Sequence, residues 1–221
     1  MMNLSPEALN IISFAKQPNV AKANRSTKDF ERIFADFFSD QISSNLFNTI
    51  PPFSGSLLLD IGPGQHVFGR AMNALGATVE AIDNDPAVCE LGTYLNIHTY
   101  AANLKTFDFS DFLDKYDGVF CKFSINAFWQ HEPESVYKRT NELLSILKPN
   151  GWGLIAPWKG VPKVLQDRPA LVSKIESAQR IAFLDAGWNT IELSPSRAKH
   201  YGMGGNVTSH PIFIKNLHGK V

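Results

Sequence analysis

Leu57-Leu58-Leu59-Asp60-Ile61-Gly62-Pro63-Gly64 is the stretch that decides the fold. An aliphatic run broken by a single acid predicts a strand buried on both faces, as in the middle of a parallel sheet. The glycines that follow permit a tight turn and let the main chain approach a ligand at the start of a helix. Further on, Val79-Glu80-Ala81-Ile82-Asp83-Asn84-Asp85-Pro86 has the same form, a strand ending in an acid. Asp83 stands nineteen positions after Gly64, the separation at which an acidic side chain in an open parallel sheet can accept both hydroxyls of a ribose. Together the two stretches point to a nucleoside-containing ligand.

Outward from this core, short apolar runs alternate with helical segments, the pattern of an α/β fold with crossover helices. Strands are predicted at 56–61, 77–83, 98–102, 116–122, 152–157, 190–193 and 210–215, with helices near 65–75, 86–94, 109–114, 134–148 and 168–186. The last two strands are joined by the loop Tyr201-Gly202-Met203-Gly204-Gly205 without a helix, which implies an antiparallel pair. Residues 1–50 read as an N-terminal helical extension to a single domain over 51–221. Within the extension Phe30, Ile33, Phe34, Phe37, Ile42 and Leu46 recur at helical spacing, a stripe that suits packing on a sheet or a lid over a pocket.

The 221 residues carry 21 Lys+Arg against 21 Asp+Glu and are 44% hydrophobic. That balance excludes disordered and collagen-like classes, and no apolar run is long enough for a membrane span. The charges are unevenly placed: 1–137 hold 9 basic and 16 acidic residues, 138–221 hold 12 and 5. Cys89 and Cys121 lie in apolar stretches without metal-ligand spacing, so a reducing, cytoplasmic setting and no metal are expected.

A dinucleotide site would place a third small residue after the glycines, but His66 stands there, and Asp60 precedes them. An anion beside a pyrophosphate is unfavourable, whereas it suits a ligand with a cationic amino group. With these residues, and with Tyr116-Asp117-Gly118-Val119-Phe120-Cys121 and Leu143-Leu144-Ser145-Ile146-Leu147-Lys148-Pro149-Asn150-Gly151-Trp152-Gly153, the chain resembles the class I S-adenosylmethionine (SAM)-dependent methyltransferases. The resemblance implies a Rossmann-like, seven-stranded, mostly parallel sheet in the order 3-2-1-4-5-7-6, with its last strand antiparallel and helices on both faces. It implies SAM as cofactor, with Asp60, Gly62 and Gly64 along the amino-acid half, Asp83 on the ribose, Asn84 beside the adenine, and Asn103 and Leu104 at its amino edge. Cys121, Lys122 and Phe123 would pass the methionine moiety. His66 would either touch the cofactor or lie with its ring in solvent at a helix start.

Methyl transfer from a sulfonium mainly requires alignment and exclusion of water, with a base needed only for some acceptors. His131 and His200 fall near the C-terminal edge of the predicted sheet and are the candidate bases. Asn126, Trp129, Trp158, Arg197 and Tyr201 surround them as candidate acceptor contacts, a mixture of rings and polar groups that suits a small-molecule or glycan-like acceptor methylated on O or N. The neutral total and the lack of an appended RNA-binding domain argue against a nucleic-acid substrate. The alternatives are an RNA or protein methyltransferase docking through the basic C-terminal segment, and a non-catalytic scaffold of the same fold.

Overall fold

The computed structural model describes residues 5–6, 8–9, 53–125, 129, 131–158, 163–191 and 212–215. The strand β1 (Leu57–Ile61) is followed by α1 (Val67–Ala74), β2 (Thr78–Asp83), α2 (Pro86–Tyr94) and β3 (His98–Ala101). A connecting segment leads to β4 (Tyr116–Phe123), α3 (Pro133–Leu144), β5 (Leu147–Trp158), α4 (Pro169–Asp185), β6 (Asn189–Ile191) and β7 (Ile212–Lys215). Five strands form a parallel sheet in which β1 is central, paired with β2 from Leu57↔Thr78 to Ile61↔Ile82 and with β4 from Leu58↔Gly118 to Ile61↔Cys121. β3 pairs with β2 and β5 with β4, both parallel. β7 pairs antiparallel with β5 at Gly153–Ile155 and with β6.

Alternation along β1 explains the two-sided sheet. Leu59 and Ile61 join the cluster with Val119, Cys121, Ile155, Val136 of α3 and Ile175 of α4. Leu58 and Asp60 point the other way, toward α1, where Phe68 stacks on Phe120 with ring centres 4.2 Å apart. Three of these four helices begin with a recognisable local device. Pro86, Pro133 and Pro169 occupy first turns, where the missing N–H costs nothing. Asp85 caps α2 by accepting from the Ala87 amide at 2.9 Å.

Two sequence expectations are corrected. The segment 109–114 forms only a 3₁₀ turn, Ser110–Phe112, because Asp108 captures the Ser110 amide at 2.9 Å and Asp114 takes a left-handed φ of 50°. Phe109 is buried there and Phe107 and Phe112 pack against the same core, so the aromatics insert rather than line one face of a helix. Strand β5 starts at Leu147, earlier than expected. Tyr116 pairs with Leu147 but Gly118 with Trp152, so residues 148–151 bulge out of the ladder. Lys148-Pro149-Asn150-Gly151, between the expected helix and the expected strand, forms this bulge.

Of the N-terminal extension, the described residues place Ala8 in the core and Ser5 with its amide 2.5 Å from Glu90 Oε1 on α2. The rest of the expected extension, including the Phe-rich stripe, lies outside the described residues.

Candidate active site

The turn after β1 is built from left-handed backbone. Gly62, Gly64 and His66 have φ of 66°, 53° and 55°, and the His66 amide closes the turn onto the Pro63 carbonyl at 2.9 Å. The two glycines meet different surroundings. A Cβ on Gly62 would lie 2.1 Å from Ser124 Oγ, whereas one on Gly64 would meet nothing within 4 Å. Gly62→Ala is therefore expected to cost about 3 kcal/mol, left-handed strain plus overpacking, and Gly64→Ala about 1 kcal/mol from strain alone. Denaturant unfolding of the two variants checks the difference.

Asp60 is 2% exposed beneath this turn. It accepts from the Gly69 amide in the first turn of α1, a contact that supplies the cap His66 does not, since no side chain caps that helix. Its Oδ2 is buried with no hydrogen-bond partner among the described residues. Burial pushes its carboxyl up to about 8, the Asp83 charge adds to the rise, and the Gly69 amide opposes it. Asp83, at the end of β2, is half-buried and raised by the same desolvation. It accepts from the Asp85 amide at 2.9 Å and from that of Asn84. These are two acids close enough to repel, one with a buried oxygen to which no described residue donates, beside a glycine turn with open space at Gly64.

His66 is not in solvent. Its ring is wholly buried, Nε2–H donates to the Val88 carbonyl at 2.9 Å, and Gly92 leaves room for it on α2. Burial holds the imidazole below its usual pKa, so it stays neutral. The exposed-ring expectation is corrected: in place of a third glycine, a histidine ties the turn to α2.

Beyond β3, Asn103 folds its own loop, its Oδ1 accepting from the Lys105 amide at 3.0 Å, and Leu104 is buried. Asn84 is exposed after β2. Cys121 packs its thiol into the core, where burial pushes it far above the usual range, so that position offers a ligand only its main chain. Lys122 and Phe123 end β4; their side chains, like that of Trp158 at the end of β5, lie outside the described residues, as do Asn126, Arg197, His200 and Tyr201.

Trp129 is corrected as an acceptor contact. It is 1% exposed, and its indole N–H donates to Gln179 Oε1 at 2.9 Å, while Gln179 Nε2 donates to the Ile125 carbonyl at 3.3 Å. The ring is a core residue pinned to α4. His131 is exposed ahead of α3, its Nδ1 3.3 Å from a guanidinium nitrogen of Arg168 at the start of α4. Arginine only donates, so Nδ1 accepts and the neutral ring carries its proton on Nε2. In this pairing His131 offers a donor outward, and serving as a base would require release from Arg168.

Sequence reasoning missed Ser124, Gln179, Arg139 and Arg168. None belongs to a motif, and each matters through a partner distant in the chain, so only the packing could reveal them.

No protein-family model and no curated protein matches the chain. Solved structures do. An amino pentose methyltransferase of Micromonospora echinaspora involved in calicheamicin biosynthesis, CalS10 with SAM bound, is 14% identical over 97% of this chain and 98% of its own, with a TM-score of 0.55. A TehB-like SAM-dependent methyltransferase of Corynebacterium glutamicum is 14% identical over 93% and 96%, with a TM-score of 0.54. A SAM-dependent methyltransferase of Mesorhizobium loti is 14% identical over 75% and 91%, with a TM-score of 0.50. The chain thus has the fold of the class I SAM-dependent methyltransferases. No helix among the described residues is long and apolar enough to cross a membrane.

Proposed function

We propose that the protein is a SAM-dependent methyltransferase acting on a small-molecule or glycan-like acceptor at O or N. The observation that carries this reading is the pairing of Asp60, with its buried partnerless oxygen, and Asp83, both at the C-terminal edge of the parallel sheet around a turn open at Gly64. That is the edge at which open α/β sheets bind ligands. The acceptor set fits the cofactor: a buried carboxylate oxygen to accept from an ammonium group, and a half-buried carboxylate to accept from a ribose diol. SAM, when bound, supplies an activated methyl on a sulfonium. The Gly62–His66 turn would hold the amino-acid half, Asp83 the ribose hydroxyls, with Asn84 beside the adenine and Asn103 and Leu104 along its edge. The main chain of Cys121, Lys122 and Phe123 would line the methionine side. Burial under α1 keeps water from Asp60.

For the acceptor, support comes from the near end-to-end likeness to CalS10, whose acceptor is an amino pentose. His131 with Arg168, and His200, Asn126, Trp158, Arg197 and Tyr201 in the following segments, are the residues proposed around it. We read the sheet as seven-stranded in the order 3-2-1-4-5-7-6, supported by the antiparallel β5–β7–β6 pairing, with residues 1–50 as an extension to the domain. Two free cysteines support a reducing, cytoplasmic setting.

Calorimetric titration with SAM and S-adenosylhomocysteine tests the cofactor. Saturable one-site binding of both is expected, and absence of heat with either would remove the reading. A labelled-methyl screen over amino sugars, other glycans and small carboxylates then tests the acceptor class.

A further inference from the structure

Arg139 lies on α3, yet its guanidinium serves the loop after β3. One terminal nitrogen, Nη2, donates to the carbonyls of Leu104 at 2.7 Å and Phe107 at 2.6 Å. The other pairs with Glu142 on the same helix, and the guanidinium carbon sits 5.2 Å from the Phe109 ring centre. Asn103 shapes this loop from within: its side chain holds the Lys105 amide, and its carbonyl accepts from the amides of Thr106 and Phe107 at 3.0 and 2.9 Å. The Leu104 amide, in contrast, makes no hydrogen bond among the described residues. Residues 103–107 are therefore folded locally by Asn103 and fastened to the domain by Arg139.

We infer that Arg139 is a positioning residue for the nucleobase, holding the Leu104 and Phe107 carbonyls so that the free Leu104 amide keeps one direction toward the base. The inference rests on the cofactor reading above and adds to it a residue on a different element. The chemistry of the base supplies the reason. Adenine presents an accepting N1 and a donating amino group, and hypoxanthine presents the reverse. A fixed N–H donates to N1 of adenine and meets another donor at N1 of hypoxanthine, whereas a loosened loop turns to suit either. Arginine is the side chain for this task because Glu142 holds one end of its planar guanidinium while the other terminal nitrogen serves both carbonyls, a division of roles that the single nitrogen of lysine does not allow.

The test titrates wild type, Arg139→Met and Arg139→Lys with S-adenosylhomocysteine and with its deaminated analogue S-inosylhomocysteine, with thermal unfolding of each protein alongside. Wild type is expected to prefer the adenine ligand. Arg139→Met is expected to bind it about tenfold more weakly while losing less for the inosine ligand, so that the preference shrinks, with Arg139→Lys between the two. Equal weakening for both ligands, an unchanged preference, or no preference in wild type would overturn the inference while leaving the cofactor reading in place. Wild type that binds neither ligand removes both. If Arg139→Met fails to fold, the preference of Arg139→Lys decides.

Discussion

Asp83→Ala is expected to weaken SAM binding about a hundredfold or more while leaving the protein folded. Two hydrogen bonds from hydroxyls to a carboxylate contribute about 1.5–3 kcal/mol each, and the neighbouring acid, Asp85, is engaged in capping α2 through the Ala87 amide at 2.9 Å. The fold loses little, because Asp83 is a half-buried carboxylate whose desolvation already opposes ionisation. What it gives the fold is acceptance of the Asp85 and Asn84 amides, a turn contribution of about 1 kcal/mol. Asp83→Asn keeps that acceptor but only one side-chain oxygen, so it should bind with intermediate strength. Calorimetry for affinity and thermal unfolding for the fold separate the two effects. Asp83→Ala affinity within threefold of wild type would show that this acid does not hold the ribose.

Asp60→Asn is expected to change how the protein responds to pH, both alone and with ligand. The Asp60 carboxyl titrates at about 8 in the folded protein, against an ordinary value of 3.8. Below the ordinary value both folded and unfolded chains hold the proton, and Asp60 adds no pH dependence. As pH rises past it the unfolded chain ionises first, so the folded state binds the extra proton and stability falls, by about 1.4 kcal/mol per pH unit for a single group. The decline levels off above about 8. Asp60→Asn removes this slope, although its amide nitrogen brings a buried donor that also needs a partner. Urea unfolding at several pH values reads the change.

A cationic ligand reverses the preference, because an ammonium beside Oδ2 favours the ionised acid. SAM binding near neutrality should therefore release a proton from Asp60 and tighten as pH rises toward 8. Titrations in buffers of different ionisation heat measure the proton directly, and the release should vanish in Asp60→Asn. Asp83 contributes to raising the Asp60 carboxyl, so Asp83→Ala should move the Asp60 midpoint downward.

The fold was legible where short-range rules act on long patterns. The aliphatic run of β1 and the Asp-Pro start of α2 both rest on local chemistry, and each stands where that chemistry puts it. The 109–114 segment was misread because Asp108 and Asp114, both local, outweigh a pattern too short to form a helix. The placement of Asp60 and Asp83 at the C-terminal ends of their strands was legible for the same reason as β1. Trp129 and His66 were not, since an aromatic ring near a sheet edge looks alike in sequence whether it faces a ligand or the core. Partners fifty and twenty-two residues away decide the matter. Arg139 was invisible: it looks like one more cation on a polar helix face until the loop carbonyls are placed beside it.

Trp129, Trp152 and Trp188 are each no more than 2% exposed, and Trp152 and Trp188 lie against Gly118 and Gly153 of the sheet. With four tryptophans in the chain, this assigns three of the emitters to the core. Three indoles emit from dry, rigid surroundings and report whether the core is intact. The fourth, Trp158, is the final residue of β5, at the C-terminal edge of the parallel sheet. A spectral change on adding a ligand that is lost in Trp158→Phe would therefore be an optical signal of occupancy, separate from the signal of unfolding.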